Sequence, residues 1–251
     1  MKKCYVVNGA AHPGFGECTA RTLINSGYKV IGLYELQDAL NAERMRQEYD
    51  ETELELHLVD CDNCENMKET ISHIADAISG FVNACFVFDM EDVDQFDIEL
   101  AERILRGNYV VPLFLATELK KKMEKGGAIV IVTSTEAERG SYGGITYAAS
   151  KAAVHNMVKS LACNWGEKDQ IRVNAVAAGW VGGEMDTDGP FEVSMNITPL
   201  GRLGRPEEIA NAIEFLLSDK ASFVNAQVLI VDGGYLAVDD IAKYEFEESK
   251  K

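Results

Sequence analysis

Tyr147 and Lys151 stand four residues apart in the stretch Tyr147-Ala148-Ala149-Ser150-Lys151. On a helix, residues i and i+4 share one face, so a phenol and an ammonium reach the same small volume. A free tyrosine titrates near pH ~10 and is a poor acid or base at neutral pH. A cation about 4 Å away, at an effective dielectric of about 20, favours the phenolate by roughly 4 kcal/mol. That is roughly three pKa units. The spacing predicts a tyrosine tuned for proton transfer. The same spacing also occurs on ordinary amphipathic helix edges, so the neighbouring elements decide between the two.

Those neighbours are informative. Ile129-Val130-Ile131-Val132-Thr133-Ser134 reads as a buried strand with hydroxyls at its C-terminal end, and Gly140, Gly143 and Gly144 form a loop before Tyr147. Arg172-Val173-Asn174-Ala175-Val176-Ala177-Ala178-Gly179 reads as a second buried strand ending in a turn. Along the whole chain, residues 4–8, 29–34, 54–60, 81–88, 128–133, 172–177 and 227–231 read as strands. Residues 16–26, 63–78, 96–122, 147–165 and 206–217 read as helices. Strands alternating with helices imply βαβ units, a parallel doubly wound sheet, and ligands bound beyond the strand C-termini. Asn8-Gly9-Ala10-Ala11-His12-Pro13-Gly14-Phe15-Gly16 follows the first strand and opens a helix. Glycines there let the backbone approach a pyrophosphate, and the helix end supplies N–H donors. A Gly-rich turn without a ligand is the bland alternative.

The order of a Ser-ended strand, a Tyr-to-Lys helix and an Asn-Ala-Val strand resembles the short-chain dehydrogenase/reductase family. Pro199-Leu200-Gly201-Arg202-Leu203-Gly204-Arg205-Pro206-Glu207-Glu208-Ile209-Ala210 and Val231-Asp232-Gly233-Gly234 resemble its C-terminal segments. The resemblance covers essentially the whole chain. It implies an α/β fold: a single Rossmann-type domain over residues 1–238, a doubly wound parallel sheet flanked by helices, followed by a charged tail at 239–251. It implies an NAD(P)-dependent oxidoreductase that interconverts a secondary alcohol and a ketone by hydride transfer. Tyr147 would be the acid/base, Lys151 would lower its pKa and bond the nicotinamide ribose, Ser134 would polarise the substrate oxygen, and Asn108 would anchor a relay water. Gly9, Gly14, Phe15, Gly16, Glu35, Asp60, Cys61, Asn83, Val181, Tyr147 and Lys151 would contact the cofactor. Glu136, Tyr142, Trp180, Met185, Phe191 and Met195 fall on segments that line the substrate cleft in that family, with 184–197 as a lid.

The chain departs from the family pattern in four places. Four residues rather than three separate Gly9 from Gly14. Tyr34 takes the usual Asp position, with Glu35 just after it. Cys85 replaces a glycine after Asn83-Ala84, and Gly183 stands where a threonine is common. An acidic residue at the second strand end accepts ribose hydroxyls and repels a 2′-phosphate. No Arg or Lys occurs in the Gly-rich turn or directly after that strand. NAD is therefore expected, with NADP possible. The departures keep a second reading open: a catalytically weak relative acting as a binding or regulatory subunit.

Composition sets outer bounds. The chain has 251 residues, 47% of them hydrophobic, which suits one α/β domain with a large core. A formal net charge of -17 argues against nucleic acid and anionic membranes as partners. No apolar run reaches transmembrane length, and Met1-Lys2-Lys3 leads straight into a strand. Six cysteines without a compact disulfide pattern fit a reducing cytoplasm. The lone Cys61-x-x-Cys64 reads as two reduced thiols, and His12, His57, His73 and His155 have no metal spacing, so no metal is expected. Val110, Val111, Leu115, Val154, Met157 and Val158 spread over more than one helix face, which together with the resemblance predicts a homotetramer acting on a small alcohol or carbonyl substrate.

Overall fold

The computed structural model describes residues 2–74, 77–182 and 196–250. Seven parallel strands form one sheet: β1 (Cys4–Asn8), β2 (Lys29–Tyr34), β3 (Leu54–Leu58), β4 (Ile78–Asn83), β5 (Met123–Ser134), β6 (Arg172–Ala178) and β7 (Val228–Val231). Their order is β3-β2-β1-β4-β5-β6-β7. The order reverses between β1 and β4, which is where a doubly wound sheet opens its ligand crevice. The helices are α1 (Phe15–Asn25), α2 (Ala39–Glu48), α3 (Cys64–His73), α4 (Ile98–Leu105), α5 (Val111–Lys120), α6 (Ile145–Asp169), α7 (Pro206–Leu217) and α8 (Asp240–Glu248).

Strand residues alternate between two cores. Val7, Val30, Val82 and Val130 pack with Leu23, Met45, Ile209 and Ile213 of α1, α2 and α7. Val6, Ile31, Phe81 and Ile129 pack with Met67, Leu115, Val154 and Val158 of α3, α5 and α6. Both faces are covered, so the central strands read as continuous apolar runs rather than alternating ones.

Several elements depart from the sequence expectation: the helix expected at 63–78 ends at His73, and β4 begins at Ile78, ahead of the expected 81. β4 ends at Asn83 instead of continuing to 88, because a side chain takes over: Asn108 bonds both the N–H and the C=O of Val87. Helix α2 was not expected. It buries only Ala42 and Met45, too few apolar residues for a periodic stripe. The segment expected as one helix at 96–122 is α4 and α5 joined by a π turn at Arg106–Val110. Pro112 has no N–H to return to the carbonyl of residue 108, so the regular ladder is broken there. The tail is helical from Asp240, capped by the Asp239 carboxylate on the N–H groups of Ile241 and Ala242. No helix among the described residues is long and apolar enough to cross a membrane.

Candidate active site

The site is assembled where β5 delivers Ser134 and α6 delivers Tyr147 and Lys151. Ser134 ends β5 and caps the short 3-10 turn Thr135–Glu138, accepting the Glu136 N–H at 3.1 Å. Its hydroxyl is close enough to the Tyr147 phenol to lower that group's pKa. Helix α6 is fixed at two points. At its start, Glu91 accepts the Thr146 N–H at 2.6 Å and the Thr146 hydroxyl, and the Glu91 N–H reaches Gly143 O at 2.8 Å. One turn on, the Thr133 hydroxyl donates to Lys151 O at 3.2 Å, tying the helix to β5.

Lys151 is 2% exposed. Its Nζ lies 3.4 Å from Val132 O and over two rings, 5.5 Å from the Tyr147 centroid and 5.6 Å from that of Phe86. Burial pushes its pKa from 10.5 down to about 7. The Tyr147 phenol goes the other way, up to about 12, because burial outweighs the lowering by the Ser134 hydroxyl. This corrects the expectation that Lys151 depresses the Tyr147 pKa. The amine sits 5.5 Å from the ring centroid, and desolvation is the largest cause of the shift in both groups.

Asn108, in the π turn, is 1% exposed. Its Oδ1 accepts the Val87 N–H at 2.8 Å, while its Nδ2 donates to Val87 O at 2.8 Å and Ser150 Oγ at 3.0 Å. The Ser150 hydroxyl donates in turn to Tyr147 O at 2.6 Å. The side-chain amide of Asn108 is thus engaged in joining the segment after β4 to α6.

The Gly-rich turn retains a cradle despite its extra residue. A Cβ on Gly16 would meet Gly9 O at 1.8 Å, and one on Gly9, at φ +85°, would meet Cys85 Sγ at 2.5 Å. Gly14, at φ +98°, has nothing within 4 Å on that side, and no side chain caps α1 there. An uncapped helix N-terminus behind an open glycine suits a pyrophosphate. The turn is braced by residues that sequence reasoning missed. His12 Nδ1 lies 3.0 Å from Asp38 Oδ1, and Asn41 of α2 donates to Ala11 O at 2.8 Å. Both braces depend on the segment leading into and forming α2, which has no clear periodic signature.

Beside the turn, Glu35, Leu36, Gln37, Leu58, Val59, Asp60 and Asn66 line a cavity of about 390 Å³ at the ends of β2 and β3. Burial raises the Glu35 pKa, and the neighbouring Cys61 opposes that rise. The Asp60 carboxylate accepts the Asp62 N–H at 3.0 Å. Tyr34 is covered by Arg46, whose guanidinium lies 5.3 Å from the ring centroid. Asn83 accepts from Asn8 Nδ2 at 2.9 Å and donates to Cys85 O at 3.1 Å, bracing β1 against β4. Cys85 is held against Gly9, and burial pushes its thiol up to about 12. Val181 pairs with Gly204 through the backbone groups of Trp180 and Gly182 rather than its own. The cradle, the acidic strand end and this cavity together fit a dinucleotide.

Of the expected substrate-lining residues, Glu136 is half-buried near Ser134, Trp180 packs edge-on against Tyr235, and Tyr142 is 98% exposed. Gly183, Met185, Phe191 and Met195, with most of the 184–197 segment, lie outside the described residues. The structure instead brings Phe86 and Phe88 against Tyr147, at centroid distances of 6.4 and 5.1 Å. The sequence pattern places both inside a strand at 81–88, whereas they follow the end of β4. Cys61 and Cys64 are free thiols, and no metal-binding cluster occurs among the described residues. His155 pairs with Glu138 at 3.1 Å.

Fold and site together define a Rossmann-type α/β protein with a Ser–Tyr pair at the sheet's open end. Residues 9–236 match the family described as enoyl-(acyl carrier protein) reductase. Over 148 residues the chain is 41% identical to an uncharacterized short-chain type dehydrogenase/reductase of Sinorhizobium fredii, covering 57% of this chain and 27% of that one. It is 32% identical to the cis-4-hydroxycyclohexanecarboxylate dehydrogenase of Sinomonas cyclohexanicum, over 93% of this chain and 96% of the relative. A solved short-chain dehydrogenase/reductase from Serratia marcescens superposes with TM-score 0.86 at 27% identity, covering 93% and 97% of the two chains. The chain belongs to the short-chain dehydrogenase/reductase family and is an oxidoreductase. Membership points to a nicotinamide cofactor.

Proposed function

We propose that the protein interconverts a secondary alcohol and a ketone, with Tyr147 as the proton donor or acceptor. The observation that carries this reading is the placement of Ser134, at the end of β5, beside the Tyr147 phenol whose pKa it lowers, with the buried Lys151 Nζ 5.5 Å from the phenol ring centroid. Nicotinamide chemistry supplies or removes the hydride at the substrate carbon. Ser134 holds the substrate oxygen, and Tyr147 passes a proton to it or takes one from it. The phenol is held protonated by burial, so it carries the proton that reduction of a carbonyl requires, while its raised pKa has to fall for efficient transfer. Lys151 holds the ribose and supplies positive charge behind Tyr147. Asn108 holds Val87 and Ser150 in register, so its part is positioning.

Gly9, Gly14, Phe15 and Gly16 would receive the pyrophosphate. Glu35, Asp60 and Cys61 would flank the adenosine, and Asn83 and Val181 would bound the groove. NAD is favoured over NADP. Glu35 opposes a 2′-phosphate, and the nearby arginines are already engaged: Arg44 with Glu17, and Arg46 with Tyr34 and Leu56 O. The relative acting on cis-4-hydroxycyclohexanecarboxylate supports a mid-sized alcohol or ketone with a polar group. The working unit is a cytoplasmic homotetramer of one-domain subunits. The reading as a binding subunit rests on Cys85 and the lengthened turn, and the open face of Gly14 weighs against it.

Tyr147→Phe tests the mechanism. It keeps the ring and removes the transferable proton. Turnover with a panel of cyclic and acyclic ketones should fall at least about a hundredfold, the scale of general acid catalysis. NADH affinity, read by fluorescence titration alongside NADPH, should change little. Near-normal turnover would remove Tyr147 from the mechanism.

A further inference from the structure

Phe86 lies between the Gly-rich turn and the catalytic pair. Its ring is 6.2 Å from the Phe15 ring at the start of α1 and 6.4 Å from the Tyr147 ring on α6. The Lys151 ammonium sits 5.6 Å from its centroid. One side chain therefore bridges the groove from the cradle to the buried amine. Phe86 is nevertheless 36% exposed, so the side chain has an open side to move into.

The backbone around it is clamped. Asn83 Nδ2 bonds Cys85 O at 3.1 Å, one residue before. Asn108 bonds both polar groups of Val87 at 2.8 Å, one residue after. Any rearrangement of Phe86 is therefore a rotation of the side chain on a fixed stem, the fast kind of motion available to exposed side chains.

We propose that Phe86 is a gate over Lys151, and that the nicotinamide half of the dinucleotide reaches Lys151 and Tyr147 only when this ring rotates out. The proposal rests on the dinucleotide-dependent reading above. In the closed position the ring gains its packing on Phe15 and Tyr147 and its cation–π contact with Lys151. Opening forfeits these, so the competent state is a minor population and apparent affinity falls by that fraction. The adenosine half docks at Glu35, Asp60 and the neighbouring cavity, away from the ring, and carries no such penalty.

The test uses Phe86→Ala and Phe86→Leu in the full-length protein, with folding checked by circular dichroism. Phe86→Leu keeps an apolar plug of smaller reach should the alanine variant fold poorly. NADH and AMP dissociation constants are measured by fluorescence and calorimetry. A gate closed about 70–90% of the time predicts NADH binding roughly three- to tenfold tighter in Phe86→Ala, with a smaller gain in Phe86→Leu. AMP affinity should be unchanged in both. Unchanged or weaker NADH binding in both variants overturns the gate, because the ring would then be inert or a wall of the bound state. Equal tightening of AMP also overturns it. If the wild type binds neither NADH nor NADPH, the dinucleotide reading fails and the gate fails with it.

Discussion

Lys151 is the residue where stability and chemistry pull hardest against each other. A buried amine with its pKa brought from 10.5 to about 7 means the folded chain holds fewer protons than the unfolded chain between those values. Stability therefore rises with pH across that window, and the full cost of burying the amine is felt below about pH 7. Lys151→Met removes the cost and keeps most of the apolar stem. The variant should be more stable than the wild type at pH 6, by at most the ~5 kcal/mol that such a shift represents. The gap should shrink by pH 10. Denaturant midpoints of both proteins at the two pH values decide the matter, and a pH-independent gap would show that the amine is not desolvated. The sequence made Tyr147 and Lys151 legible as a pair because i,i+4 spacing is a local property. It could not give the sign of the Tyr147 shift. That sign depends on burial by Phe86 and Phe88, which arrive from a loop more than fifty positions away.

At the scale of elements, the catalytic helix is positioned by a residue outside it. Glu91 lies in the loop after β4, yet it caps α6 through the Thr146 N–H and hydroxyl. A carboxylate at a helix N-terminus satisfies an orphan donor and complements the helix dipole. Glu91→Ala should cost about 1–2 kcal/mol, typical of a lost cap. For a chain of this size that is a Tm decrease of roughly 2–8 °C. Turnover should fall further than NADH affinity, because Tyr147 is the next residue. Glu91→Gln keeps one acceptor oxygen and should recover most of the Tm in a thermal melt. An Ala variant with unaltered Tm would show that the cap carries no weight. The elements legible in the sequence were those with a dense apolar pattern: β1, β2 and α7 have the expected bounds. Those that escaped have their limits set by tertiary partners. Asn108 takes over the backbone where β4 stops, and α2 is held by Arg21–Glu48, Arg44–Glu17 and Asn41–Ala11 contacts rather than by an apolar stripe.

For the whole molecule, the apolar residues of α5 and α6 are not the surface available for self-association. Val111, Leu115, Val154, Met157 and Val158 are at most 4% exposed and are absorbed by the subunit's own core. Of that set only Val110 remains at the surface, because the sheet and α3 cover more of α5 and α6 than one stripe each. Uncovered apolar side chains lie around α4, at Val93, Phe96, Ile98 and Leu105, and at the far edge of the sheet. Leu229 and Ile230 are adjacent on β7, so they point to opposite faces, yet both are at least 36% exposed. Phe223, just upstream, is fully exposed. Among the described residues no strand pairs with the outer edge of β7. An uncovered apolar edge strand invites pairing, and a second copy of the chain supplies a symmetric cover. The charge of -17 opposes assembly, but separated surface charges are screened beyond about 8 Å at physiological salt. Light scattering at micromolar concentration should give a multiple of 27.6 kDa, four being the expected number. Leu229→Lys with Ile230→Lys places two charges on that edge and should lower the mass to a smaller assembly, with the far-ultraviolet circular dichroism spectrum retained. A wild-type mass of 27.6 kDa would refute self-association. A double variant with the wild-type mass would place the interface elsewhere on the subunit.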